Sequence, residues 1–311
     1  MNRRPPLALA RRLALSLLAS SLLASSLLAA PAMAQTARSL SDVPKLLTTP
    51  EGKAVWQQQM MGEPIPDGLG TRLPDGLRAE ALVPLLVPEA QRSYVTLVGA
   101  KPWARRANSF VVIVCTKAQP ALDRTRPDCG STGNEVRPTA YVGVVERLPD
   151  GGLKAIAGSG AVTTQTPWRD ADLPASPLDA EDAPEGKLMP EEWLRMDLAN
   201  YRLRDDATAF GVRAGWRQGY AGGGAEFEAL YLFMIDGDRL RVVLAAPMFA
   251  FEDIAGDWHP DGTRDHDISE ASKVLVISQR KTAGYYDIEL REKGARGGAT
   301  LQWSAAERGY R

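Results

Sequence analysis

Both histidines of the chain lie in one aspartate-rich segment, residues 256–268. The segment reads Gly-Asp-Trp-His-Pro-Asp-Gly-Thr-Arg-Asp-His-Asp-Ile. Calcium takes carboxylate and carbonyl oxygens, and a tight loop can supply them from alternating positions while glycine allows the sharp turn. The spacing therefore predicts a candidate calcium site, with ligands from Asp257, Asp261, Asp265 and the carbonyl of Thr263.

The same segment permits two further interpretations. It could be a solvated turn that holds no ion, since aspartate, glycine and proline are common turn residues. It could also be a transition-metal or catalytic site built from His259, His266 and the neighbouring carboxylates. Zinc sites use mainly nitrogen and sulfur ligands, three or four in number, and the chain has two histidines in total. The sequence leaves these three interpretations open.

The order Gly-Asp-aromatic-x-x-Asp-Gly-x-x-Asp in this segment resembles a known pattern. It is similar to the calcium loops of FG-GAP/VCBS-type β-propeller repeats of secreted and cell-surface proteins. The pattern occurs once in the chain, and His259 stands where that family usually has aspartate or asparagine. The resemblance implies an exported β-rich protein that calcium stabilises at this loop.

The sequence lacks the familiar catalytic motifs. It contains no G-x-S-x-G elbow, no H-E-x-x-H, no Walker sequence and no G-x-G-x-x-G after a strand. The two carboxylates of a glycosidase can be distant in sequence, and Trp216, Trp258 and Trp303 could line a sugar site or belong to the core. We therefore favour a non-enzymatic binding function. The alternative is an envelope hydrolase that acts on glycan or ester bonds with carboxylates near residues 257–267.

The amino-terminal residues have the three parts of a secretory signal. Arginines at positions 3, 4, 11 and 12 flank the start of an apolar run over 13–30, which ends in Pro-Ala-Met-Ala. Small residues in an A-x-A arrangement are typical of a signal-peptidase site. A membrane anchor is the rival interpretation, because the run approaches the length of a spanning helix. We predict a signal peptide at 1–34, a mature chain from Gln35, and a periplasmic or secreted location.

The predicted mature chain is mildly acidic, because the leader contains basic residues and no acidic ones. Its only basic patch beside an aromatic residue is short, at residues 101–106, so we expect no nucleic-acid partner. No other stretch is apolar enough to span a membrane after signal cleavage. An exported module of the inhibitor, immunity or adaptor type would bind another envelope protein or a glycan.

Cys115 and Cys129 are the two cysteines of the chain. In an oxidising compartment, an even number of cysteines at short separation predicts a disulfide. A redox or metal pair would be expected at C-x-x-C spacing, which is absent. The β-rich run before Cys115 indicates that the bond fixes a polar loop to the end of a strand.

Short β-rich runs separated by turn residues fill most of the chain from residue 94 onward. Two pairs of runs, 140–148 with 153–157 and 230–235 with 240–244, are joined by Asp-Gly turns that favour hairpins. The pattern predicts a mainly β fold, as an antiparallel sandwich, a barrel or a propeller-like arrangement, with one or two short helices.

The predicted helices lie near the amino terminus, at 48–61 and near 77–86. Thr48, a proline in the first turn and Glu51 form a capping pattern for the first helix. Trp56 and Met60 lie on one face of this helix, which we expect to dock on the domain. The segment 164–190 is rich in proline and acidic residues. It predicts a linker or long loop between a lobe at 35–163, which carries the first helix and the disulfide, and a β-rich lobe at 191–311. The alternative is that the two halves share one core, with the paired hairpins as one repeated unit.

Overall fold

A computed structural model describes residues 34–62, 66–118, 129–131 and 136–311. The fold is mainly β, with 53% of residues in strands and 15% helical, which confirms the predicted fold class. Most of the predicted signal peptide lies outside the described residues, so the leader stays a prediction. No helix of the described residues combines the length and the apolar character that crossing a bilayer requires.

The strands lengthen toward the carboxyl-terminal half, where β-branched and aromatic residues alternate with polar ones. The strands of the described residues are β1 Gln35–Ala37, β2 Val95–Pro102, β3 Ser109–Thr116, β4 Thr139–Arg147, β5 Leu153–Ala161, β6 Thr166–Pro167, β7 Lys187–Leu188, β8 Glu192–Arg204, β9 Ala207–Tyr220, β10 Gly223–Asp236, β11 Arg239–Trp258, β12 Arg264–Thr282, β13 Tyr285–Glu292, β14 Ala299–Leu301, β15 Trp303–Ser304 and β16 Gly309–Tyr310.

Helices are short and lie mainly before the sheet. They are α1 Val43–Leu46, α2 Pro50–Met60, α3 Ala79–Leu86 and α4 Asp179–Asp182, with 3-10 turns at Leu40–Asp42, Glu89–Tyr94 and Pro184–Gly186. The structure confirms α2 and α3 and corrects the cap of α2. Thr49, not Thr48, is the N-cap, and its hydroxyl accepts from the backbone N–H of Gly52 at 2.9 Å.

Among the described residues, twelve strands form one curled half-barrel sheet. The strands β14, β13, β12, β11, β5, β4, β3 and β2 follow one another, and β10, β9 and β8 extend the sheet from β11. β1 pairs with β12. The two hairpins predicted from their Asp-Gly turns are β4–β5 and β10–β11. β10, β11 and β12 continue well beyond the predicted strands, and these extensions carry the site described below.

The main core draws on strands from both sides of the segment 164–190. Trp168 of this segment is buried and packs edge-on against Trp216 and Phe227. The hydroxyl groups of Thr166 and Tyr231 lie 2.7 Å apart in the same core. The proline-rich segment therefore contributes core contacts, and the division of the chain into two lobes stays a prediction.

The predicted disulfide joins Cys115 at the end of β3 to Cys129. Both cysteines are buried. The backbone carbonyl of Cys129 accepts from the N–H of Trp193 at 2.9 Å, so the bond also ties β3 to β8. Most of the predicted polar loop between the cysteines lies outside the described residues.

Candidate functional site

The site is built on one face of β9, β10, β11 and β12. Antiparallel pairing places Arg217, Glu226, Phe251 and Glu270 in a row across these four strands. Residues two apart along a strand share a face. Positions two residues before or after each member of this row therefore lie on the same face of the sheet.

A second row on this face contains Gly219, Gly224, Asp253 and Ile268. Gly219 leaves open space above β9, since nothing lies within 4 Å of the position that its Cβ would take. His266 follows on β12, between β11 and β1. On this face, β9 and β10 therefore carry no side chain in the row that contains Asp253 of β11, and this leaves a hollow above the sheet.

Helix α2 covers one side of this hollow. Val55 and Trp56 of the helix pack with Phe249, Phe251 and Ile268 of β11 and β12. This contact confirms that the helical face predicted from Trp56 and Met60 docks on the domain. Met60 itself reaches past the packed cluster and stays 46% exposed.

Glu270 fixes the start of α2 to the sheet. One carboxylate oxygen accepts from the backbone N–H of Thr49 at 2.9 Å and from the hydroxyl of Thr48 at 2.8 Å. The other accepts from the hydroxyl of Thr49 at 2.7 Å. A carboxylate at a helix amino terminus is favourable because it accepts from N–H groups that lack helical partners. These hydrogen bonds therefore fix the position of the first turn of α2 relative to the strands.

A cleft of about 940 Å³ lies between α2, the β9–β10 turn and the end of the β11–β12 hairpin. Most of the surface that lines it is apolar, and Val55, Trp56 and Phe251 contribute to this surface. At its mouth, Leu40 is 39% and Trp258 is 69% exposed. Clefts of this size and lining are typical of sites for small molecules. Exposed apolar residues gathered at one place are typical of binding surfaces.

The polar part of the cleft includes a histidine–aspartate pair. Nδ1 of His266 lies 2.8 Å from Oδ1 of Asp253, and both residues are buried. Burial raises the pKa of the Asp253 carboxyl, and the hydrogen bond to His266 opposes that rise. Within the described residues, no serine, threonine or cysteine side chain hydrogen-bonds to the imidazole. The pair is therefore suited to activate a bound water rather than a protein nucleophile.

Arg217 and Glu226 form a second polar group on the same face. Nε of Arg217 lies 3.2 Å from carboxylate oxygens of both Glu226 and Glu192. The side-chain amide of Gln59 on α2 donates to Glu226. Burial raises the pKa of the Glu226 carboxyl, while Arg217 and Gln59 oppose the shift. The positive charge of Arg217 is thus compensated within the protein.

Arg264 differs from Arg217 in its partners. Its Nε and Nη2 donate to the carbonyls of Gly256 and Ala255 at 2.9 and 3.3 Å. Its guanidinium carbon lies 5.3 Å from the ring centroid of Trp258. No ion pair joins Arg264 to a carboxylate among the described residues. A Cβ at Gly222 would lie 2.6 Å from Nη1 of Arg264, so glycine allows the β9–β10 turn to approach the guanidinium.

The predicted calcium segment is a β-hairpin. Asp257 is on β11 and Asp265 is on β12, while Asp261 and Thr263 lie in the connecting turn. Oδ1 of Asp261 accepts from the hydroxyl and the N–H of Thr263 at 2.6 and 3.0 Å. The Thr263 carbonyl accepts from the N–H of His259 at 2.8 Å.

Two carboxylates of this hairpin also contact basic groups. Oδ2 of Asp261 lies 3.3 Å from Nη2 of Arg38, and Oδ1 of Asp265 lies 2.8 Å from Nε2 of His259. Among the described residues, no three histidine, cysteine, aspartate or glutamate side chains group as a metal site would require. Calcium binding by these residues stays a prediction.

Part of the site lies in segments that the sequence singles out. Trp258 and His266 belong to the predicted segment and line the cleft. Trp216 and Trp303, which the sequence also suggests for a sugar site, are core residues that are 1% and 8% exposed. Arg217 and Glu226 were not predicted, because nothing in their local sequence indicates that they lie on the same face of a sheet. Adjacent Arg217 and Gln218 and the three glycines at 222–224 interrupt the alternation of polar and apolar residues that would mark a strand face.

Comparison with family models, curated proteins and solved structures finds no match to this chain.

Proposed function

We propose that the protein is an exported, non-enzymatic binding module of the cell envelope, and that the cleft beside α2 is its binding site. The carrying observation is the cleft itself, an apolar space of about 940 Å³ with exposed Leu40, Met60 and Trp258 at its mouth. Water beside apolar walls makes few hydrogen bonds with the protein. Its displacement by an apolar group of a ligand or partner would therefore be favourable. The disulfide and the predicted leader support the compartment.

A blocked variant tests the proposal. Gly219→Phe places a large side chain in the open space above β9 without a clash at Cβ. Gly297→Phe is the matched control, because nothing lies within 4 Å of its Cβ position either and it does not line the cleft. The neutral probe N-phenyl-1-naphthylamine should bind to the wild type and to Gly297→Phe, with increased fluorescence. Gly219→Phe should lose this signal, and equal signals in the two variants would refute the assignment.

The pair of Asp253 and His266 supports a second candidate, an envelope hydrolase that acts on ester or glycan bonds. The imidazole would take a proton from the attacking water and return it to the alcohol oxygen that leaves as the ester or glycosidic bond breaks, and Asp253 would orient the ring. A panel of esters and glycans tests this candidate. It requires that His266→Asn abolish the turnover found and that Asp238→Ala, which changes an exposed carboxylate away from the cleft, leave it intact.

Calcium stabilisation of the hairpin is a separate part of the proposal. If Asp257, Asp261 and Asp265 bind calcium, millimolar calcium should raise the melting temperature of chelator-treated protein through binding linkage. Asp261→Asn should remove the rise. An unchanged melting temperature in the wild type would reject the calcium site and leave the cleft proposal intact.

A further inference from the structure

We infer that the ligand of the cleft is a single-chain amphiphile with a carboxylate head, held by Arg264 at the mouth. This inference rests on the proposed binding function and names the chemistry that the site would select. It follows from how charge and apolar surface are distributed along the cleft.

The apolar side chains of the interior fit an aliphatic chain. Val55, Trp56 and Phe251 offer no hydrogen-bond acceptor, and Trp56 alone carries a donor. Hydroxyl groups of a polar ligand that lay against these three side chains would lose hydrogen bonds to water and regain few of them. An aliphatic chain loses no hydrogen bond on entering, and the burial of each methylene favours its transfer from water.

The charges of the cleft select the head group. The cation of Arg217 is paired with Glu192 and Glu226, and Asp253 is paired with His266. Arg264 is the cation of the lining that is paired with no carboxylate among the described residues. A carboxylate placed against it would form a charge-assisted hydrogen bond with a guanidinium that has no carboxylate partner among the described residues.

The position of Arg264 sets the orientation of the ligand. It is the first residue of β12, next to the turn, and its guanidinium lies against the exposed ring of Trp258. The carboxylate would therefore lie at the mouth, in contact with solvent, and the chain would extend between α2 and β11. A charged head at the mouth avoids the cost of burying an ion in an apolar space.

Three probes of one chain length test the head group, each used below its micelle concentration. The probes are dodecanoate, dodecan-1-ol and dodecyltrimethylammonium, titrated by calorimetry against the wild type, Arg264→Gln and Arg264→Lys. The wild type should bind dodecanoate about tenfold more tightly than the alcohol, the scale of one charge-assisted hydrogen bond. Arg264→Gln should remove this preference and leave the affinity for the alcohol unchanged, while Arg264→Lys should keep a preference.

The salt dependence of binding to the wild type tests the same pairing without any substitution, so a folding defect in a variant cannot affect the result. Raising the ionic strength should weaken dodecanoate binding more than alcohol binding, because salt screens the pairing with Arg264. Equal affinities for the three probes, or a carboxylate preference that Arg264→Gln retains, would overturn the inference. If the three probes bind equally and Gly219→Phe blocks them, the proposed binding function stands and only the head-group assignment fails. If none binds, and the neutral naphthylamine probe fails as well, both fail.

Discussion

His266 and Asp253 join β12 to β11 through a hydrogen bond of 2.8 Å beneath an apolar cleft. The two residues are diagonal neighbours, since His266 lies opposite Ala255 and Asp253 lies opposite Ile268. The hydrogen bond therefore links the two strands of the β11–β12 hairpin to each other. The same hairpin carries Trp258 at the mouth of the cleft, so the pair contributes to the shape of the site.

Replacing Asp253 should destabilise the protein. Asp253→Ala leaves the buried ring of His266 without its partner, and the loss should lower the free energy of unfolding by about 1–3 kcal/mol. Asp238→Ala changes an exposed carboxylate in the β10–β11 turn and should have an effect within about 0.5 kcal/mol. Urea denaturation of both variants measures the difference. Equal stabilities would show that the pair does not hold the hairpin.

Replacing Glu270 should loosen α2. Glu270→Ala removes the acceptor for Thr48 and Thr49, and hydrogen bonds to a charged group contribute about 1.5–3 kcal/mol each to stability. We expect faster hydrogen exchange of the α2 amides and weaker binding in the cleft. Glu289→Ala, on β13, is the control and should leave exchange in α2 unchanged. Unaltered α2 exchange in Glu270→Ala would contradict the anchoring role.

The carboxyl of Glu226 should make stability depend on pH. Burial raises its pKa in the folded protein above the ordinary value of 4.5. As the pH rises above 4.5, the unfolded chain releases this proton first, so the wild type loses stability over that interval. Glu226→Gln lacks this loss.

The melting temperature of Glu226→Gln relative to the wild type should therefore increase from pH 4.5 toward neutral pH. The exposed Glu89→Gln provides the baseline, and its difference from the wild type should stay flat. A difference for Glu226→Gln that shrinks as the pH rises would have the wrong sign for a raised pKa.

The disulfide should stabilise the fold through the loop that it closes. Cys115 and Cys129 are separated by 14 positions, and removing a cross-link of this length should lower the free energy of unfolding by about 3 kcal/mol. The double variant Cys115→Ala/Cys129→Ala and the reduced wild type should show the same loss in denaturant titrations. A large loss in the variant alone would indicate a packing effect of the buried side chains instead.

The sequence predicted the β class, two hairpins and the disulfide because each depends on local signals. The Asp-Gly turns and the alternating side chains of β4–β5 and β10–β11 indicate hairpins whatever the position of those hairpins in the fold. The length of β11 was not predicted, since the aspartates and glycine of 253–257 are poor strand formers. Pairing with β10 and β12 overrides that preference.

The cleft could be predicted only in fragments. Trp56 and Met60 were recognised as one helical face, and His266 and Trp258 as part of one segment. Their meeting with Arg217 depends on the register of four strands and on Glu270, which anchors α2 from 221 residues away. Such long-range placement leaves no periodic signal in a single sequence.

Hydrogen exchange with and without N-phenyl-1-naphthylamine tests the central claim, that the cleft is the binding site. We expect slower exchange in three separate segments, 50–60, 217–226 and 253–266, because these form its walls. Exchange in β13 should stay unchanged. Protection confined to other strands, with these three segments unaffected in a protein that binds the probe, would contradict the account.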